Sequence, residues 1–174
     1  MRCTAMRILA VIGILAIFAC VVAIAIIMTG SYPVGADSGH GFVDTLAAYT
    51  RERSVDRADS GLSVPPLDNP QQISMGAHHY KEMCTGCHLA PGMAENEMRP
   101  GMDPRPPKLA NRKHPDAAED FWVVKHGIKM TAMPAWGASH SDDKIWAIVA
   151  FLQKLPGMSP EEYAQLTAGD GHED

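Results

Sequence analysis

Cys84-Thr85-Gly86-Cys87-His88 constrains this chain more than any other stretch, because Cys-x-x-Cys-His is the spacing at which haem is attached through two thioethers. Two thiols one helical turn apart reach two vinyl groups of one porphyrin, and the adjoining imidazole then approaches the iron from the proximal side. The motif predicts Cys84 and Cys87 as attachment points for one haem c and His88 as a first iron ligand. A zinc site would need a second Cys or His pair at short spacing, which the other cysteines, Cys3 and Cys20, do not supply. A thioredoxin-like dithiol would need alternating strands and helices, and the flanking sequence has few strand-like runs.

With 174 residues and 46% hydrophobic content partly spent on one N-terminal run, the chain has material for one small globular domain. Ile8 to Met28 carries no charge, a span long enough to cross a hydrocarbon core as a helix and longer than the apolar part of a cleavable signal. Residues 1–29 are therefore expected to be a cytoplasmic N-terminus and a retained transmembrane anchor. Arg2 and Arg7 precede the span and no Lys or Arg follows until Arg51, so the positive-inside bias puts the N-terminus in the cytoplasm and the rest on the periplasmic side. Val34-Gly35-Ala36 fits a signal-peptidase site, and cleavage after Ala36 is the alternative. Cys20 reads as a membrane-buried small hydrophobe and Cys3 falls on the cytoplasmic side, so neither is expected in a disulfide. The net charge of -5 makes nucleic acid an unsuitable partner.

Residues 30–70 read as a linker interrupted by a helix over Phe42 to Ala58, weakly amphipathic and with alternating charges. That helix is left with three readings: against the membrane, docked on a partner, or solvated. Beyond the Pro-rich break Val64 to Pro70, a haem domain is expected over 71–158. Gln71 to Met83 should be its first helix, with Gly76, Tyr80, Cys84 and Cys87 on a haem-facing side. Pro91 to Pro107 is rich in Pro, Gly and Met and reads as an irregular loop. Pro115 to His126 makes a helix closed by Gly127, and Ser141 to Leu155 another, with Ile145, Ile148, Val149 and Leu152 on one stripe. Ser159-Pro160-Glu161-Glu162 opens a short helix within 159–174, with a frayed tail after Thr167.

The second axial ligand must come from downstream of His88. Met133 precedes Pro134, which pushes it into extended backbone and lets its thioether project sideways, so Met133 is favoured. Met130 is the runner-up and otherwise an apolar contact at the haem edge; His126 and an open position are the remaining options. His40, His78, His79, His114, His140 and His172 read as surface residues.

The pattern Gly76-x3-Tyr80-x3-Cys84-x2-Cys87-His88, then Ile128 to Gly137 with Met-Pro-Ala-Trp-Gly, then Asp142 to Ala147, resembles class I cytochrome c. It is most similar to membrane-anchored bacterial monohaem proteins with a domain like that of cytochrome cbb3 oxidase subunit III. The resemblance covers about Gln71 to Gly157. It implies an all-α class I cytochrome c fold, three to five helices around one covalent haem, in which the first and last helices cross. It also implies that His88 and Met133 ligate iron, that Tyr80 meets Trp146 or Phe151, that Trp136 lies near a haem propionate, and that Pro134 belongs to the cofactor surround. The function expected from it is single-electron transfer between redox proteins in or near the membrane, with no small-molecule substrate. Two alternatives stand beside that: an electron-accepting subunit of a membrane-bound dehydrogenase or oxidase complex, and a haem sensor or peroxidase in which Met133 dissociates.

Overall fold

A computed structural model describes residues 2–168 and divides the chain into two compact units, 1–38 and 39–174. The described residues contain helices, turns and irregular backbone, and no strand. The first unit is α1 (Arg2–Thr29), whose stretch from Thr4 to Thr29 is long and apolar enough to cross a membrane. At 1.5 Å per residue those 26 residues span about 39 Å, more than a hydrocarbon core of about 30 Å. The helix ends where Gly30 turns left-handed (φ +64°) and the Ser31 N–H donates to the Ile26 carbonyl at 3.2 Å.

The second unit is built on two crossing helices, α3 (Pro70–Met83) and α6 (Asp142–Leu152). Asn69 caps α3 by accepting from the Gln71 and Gln72 N–H groups, with Pro70 at the first helical position, where its missing N–H costs nothing. Gly76 makes the crossing close: a Cβ there would stand 1.9 Å from the Ala147 carbonyl oxygen. The side chains around it are small or flat. Ala77, Ala147 and Ala150 are fully buried, and the Tyr80 ring lies 5.2 Å from that of Phe151. The face carrying Gly76 and Tyr80 thus packs on α6. The chain leaves α3 at Cys84, which still packs on the core beside Tyr80, and starts a new one-turn helix, α4 (Thr85–His88).

Helix α5 (Ala117–His126) is capped by Asp116 and packs on α6, with Phe121 stacked on Trp146 at 4.0 Å. Of the two aromatic partners expected for Tyr80, Phe151 is the one it meets; Trp146 is engaged by Phe121. The stripe expected on α6 is buried, but so are Ala147, Ala150 and Phe151, so this helix is enclosed on most sides. It ends at Leu152, three residues before the expected end, with Gln153 as its cap. Gln153 Nε2 donates to Asp120, which also forms a two-pronged pair with Arg112 at 2.5 and 2.7 Å, tying α5, α6 and the preceding loop together. Helix α7 (Pro160–Leu166) opens with the capping box of Ser159 and Glu162. Its Tyr163 reaches the Phe151 ring, and the Lys81 ammonium donates to the Thr167 carbonyl at 3.1 Å. The tail expected after Thr167 falls largely outside the described residues, as does His172.

Helix α2 (Phe42–Asp59), placed by the sequence within a linker, packs against α5 and buries Val55. His78, His79 and His140, expected on the surface, are half-buried. His79 and His140 meet edge to face at 6.0 Å, and Trp136 lies edge-on to His140 at 5.4 Å.

Candidate functional site

The Cys84–His88 turn is held by its own backbone and by a loop folded over it. The Cys84 N–H donates to the Tyr80 carbonyl, while the Cys84 carbonyl accepts from both Cys87 and His88 N–H, at 3.1 and 2.8 Å. Leu89 then takes a left-handed conformation (φ +61°), unusual for a branched side chain, and its carbonyl accepts from the buried Tyr80 hydroxyl at 2.6 Å. Tyr80 therefore works from inside the protein core, fastening the end of the cysteine turn to α3.

The loop between α4 and α5 returns three times to this turn. Asn96 donates through its amide to the Gly86 carbonyl at 2.6 Å and accepts from the Met98 and Arg99 N–H groups. Arg99 is 1% exposed, and its guanidinium donates to the Cys87 carbonyl and to Glu95. Glu95 also receives Lys108 at 2.7 Å, and these two cations hold its carboxyl down at about 2. The third contact is the most telling: His88 Nδ1 lies 2.8 Å from the Pro107 carbonyl oxygen. A carbonyl can only accept, so Nδ1 carries the proton and Nε2 is left with its lone pair. Burial pushes the His88 pKa below that of a free histidine, which keeps the ring neutral and able to ligate a metal.

Cys84 and Cys87 are unbridged, and burial, followed by the neighbouring Cys87, pushes the Cys84 thiol up to about 12. A thioredoxin-type dithiol needs a thiol lowered toward neutrality, so this environment is the opposite of what that chemistry requires. Among the described residues no three His, Cys, Asp or Glu side chains converge as a metal-binding group.

Met133 lies in a loop pinned to the end of α5. Gly127, left-handed at φ +63°, turns the chain so tightly that a Cβ would stand 2.7 Å from the Ala135 nitrogen and the Pro134 carbonyl carbon. The Met133 carbonyl accepts from the Ile128 N–H at 3.2 Å. Its N–H donates to the Thr131 hydroxyl at 3.1 Å, which itself donates to the Ile128 carbonyl at 2.8 Å. The Met133 backbone is thus held from both sides, and its side chain is half-buried against the same core that Cys84 packs on. Met130, by contrast, is 93% exposed on a left-handed residue, and His126 is exposed beside Trp122. Pro134 is exposed, and Trp136 is half-buried in a short 3-10 turn, Trp136–Ala138.

The residues that sequence reasoning missed are Asn96, Arg99, Glu95 and Pro107. Each acts on a partner up to 19 positions away, and nothing in the local pattern of a Pro-, Gly- and Met-rich loop singles them out.

Residues 71–152 match the family model described as cytochrome C oxidase, cbb3-type, subunit III. The matched stretch runs from the start of α3 to the end of α6 and includes both the Cys84–His88 turn and the Met133 loop. No curated protein and no solved structure matches the chain. The crossed helices, the cysteine turn with its oriented imidazole and the family match agree. Residues 71–152 form a cytochrome c domain of the cbb3-oxidase subunit III type, which implies haem c binding and a role in electron transfer.

Proposed function

We propose that this protein is a single-electron carrier of a bacterial respiratory chain, anchored by α1 with its haem domain at the periplasmic face of the cytoplasmic membrane. The observation that carries the reading is the His88 ring, neutral and oriented by Pro107 so that Nε2 is the free donor, one residue after the second thiol of the attachment motif. The donor types suit one haem c: Cys84 and Cys87 would form its thioethers, and His88 Nε2 and the Met133 thioether would be its iron ligands. When bound, haem supplies a one-electron ferrous/ferric couple, which thioether ligation biases toward a high potential.

The chain's own residues do the rest. Pro107 fixes the tautomer and rotation of His88, and Arg99 and Asn96 clamp the turn from which His88 projects. Gly127 and Thr131 hold the Met133 backbone so that the ligand set need not rearrange between oxidation states. Trp136, half-buried just after the same loop, would donate its indole N–H to a haem propionate. Arg2 and Arg7 ahead of the span favour a cytoplasmic N-terminus.

Haem that survives denaturing electrophoresis in the wild type and is lost in Cys84→Ser with Cys87→Ser, together with a reversible one-electron titration, would support this function. Turnover of peroxide by the isolated protein would refute it. The match to an oxidase subunit favours one second reading, that the domain accepts electrons within a larger complex. Stable co-purification with a catalytic chain distinguishes that reading from a free carrier.

A further inference from the structure

Helix α2 lies outside the matched cytochrome stretch and has an apolar stripe that is exposed among the described residues. Its orientation on α5 is set by Val55, its one buried residue, at 6% exposure. At 100° per residue, Phe42, Leu46, Tyr49 and Arg53 share an arc of about 60° on roughly the opposite side. Phe42 is 81% exposed, and Val43, Leu46 and Tyr49 are each more than half exposed. The stripe ends in a polar pair: the Arg53 guanidinium sits 5.4 Å over the Tyr49 ring, and Nε donates to the Tyr49 hydroxyl at 3.2 Å. On a helix lying flat these side chains point the same way, so Phe42, Leu46 and the Tyr49 ring reach the acyl boundary while the long Arg53 side chain returns its guanidinium to the phosphates.

The chain itself indicates what covers this face. Only residues 30–41 separate the end of α1 from Phe42, a tether of at most about 40 Å when fully extended. At that length the effective concentration of bilayer surface at α2 is very high, so even a weak interfacial affinity is satisfied. Three arginines on α2 (Arg51, Arg53, Arg57) face four acidic residues (Asp44, Glu52, Asp56, Asp59), so attraction to anionic lipid is not the driving force. Apolar burial is, and a zwitterionic phospholipid suffices.

We propose that α2 lies in the lipid–water interface of the bilayer that α1 crosses, with Phe42, Leu46 and Tyr49 at the acyl boundary and Arg53 at the phosphates. This rests on the reading of α1 as a retained anchor. The arrangement restricts the orientations that the cytochrome domain presents to partners in the membrane plane.

The test uses the full-length holoprotein with Cys3→Ala and Cys20→Ala, reconstituted in phosphatidylcholine vesicles. Nitroxide is attached singly at Leu15→Cys, Leu46→Cys or Glu52→Cys, and oxygen and a nickel chelate serve as depth probes in electron paramagnetic resonance. The proposal expects labels at 15 and 46 to be accessible to oxygen and shielded from nickel, with the reverse at 52. Adding Phe42→Ser and Tyr49→Ser should raise nickel accessibility at 46 about tenfold. A nickel-accessible label at 46 with a shielded one at 15 would overturn the proposal and leave the anchor standing. A label at 46 shielded from both probes would mean that protein, a second copy or another chain, covers the stripe, and would also overturn it. A nickel-accessible label at 15 would remove the anchor and the proposal together.

Discussion

Gly76 and Gly86 are both helical glycines near the cysteine turn, and the space around them sets opposite tolerances. A Cβ at 76 would overlap the Ala147 carbonyl at 1.9 Å, a backbone atom that cannot swing aside, whereas a Cβ at 86 meets nothing within 4 Å. Alanine gains about 1 kcal/mol over glycine in a helix, but forced overlap in a packed core costs about 1–3 kcal/mol or more. Gly76→Ala should therefore lower the denaturant-unfolding free energy by at least about 2 kcal/mol, while Gly86→Ala should leave it unchanged or slightly raised. Glu95 makes a prediction of another kind. Lys108 and Arg99 hold its carboxyl at about 2 in the folded protein, below the ordinary 4.5. A depressed folded pKa contributes stability that is fully present above 4.5 and fades as pH falls from there toward 2. The stability difference between wild type and Glu95→Gln should thus shrink across that window, as followed by unfolding midpoints at stepped pH.

At the level of an element, the Met133 loop is held by residues that the proposed ligand set does not include. Thr131 bridges the Ile128 carbonyl and the Met133 N–H. Thr131→Val keeps the shape but removes both hydrogen bonds, each contributing about 1 kcal/mol. It should weaken Met133 binding to ferric iron and speed carbon monoxide binding to the ferrous protein several-fold, whereas Met130→Leu, at an exposed position, should alter neither. Stopped-flow mixing with carbon monoxide checks both. The sequence favours Met133 over Met130 because Pro134 restricts its backbone, and Met133 is half-buried where Met130 is 93% exposed. The role of Thr131 was not legible, since a threonine two residues upstream carries no signal until the turn closes. Helix starts at Ser141 and Ser159 were legible for a related reason, since each acts within three residues of itself and caps the helix that follows, whereas the helix read from Pro115 starts at Ala117 behind Asp116. The close approach of Gly76 to Ala147 was not legible, because periodicity reports which residues share a face and not what lies opposite, and what lies opposite is a helix some 70 residues away.

At the scale of the whole molecule, an apolar helix, a tethered helix and a cytochrome c domain follow one another along the chain, and each was visible in the sequence by a different signal. Length without charge marks α1, spacing of cysteines and histidine marks the domain, and weak periodicity marks α2 without revealing that Val55 seats it on α5. Long-range clamps such as Arg99 on the Cys87 carbonyl stayed hidden, because a buried arginine looks like any other until its acceptors are in place. The account as a whole stands on one haem held by His88 and Met133 in a site closed to outside ligands. The most direct measurement is absorption and carbon monoxide binding of the full-length membrane-extracted protein beside Met133→Ala. The account predicts a far-red methionine-to-ferric-iron band and slow carbon monoxide binding in the wild type, with the band lost and binding fast in the variant. A wild-type protein that lacks the band and binds carbon monoxide rapidly, no differently from Met133→Ala, would contradict it.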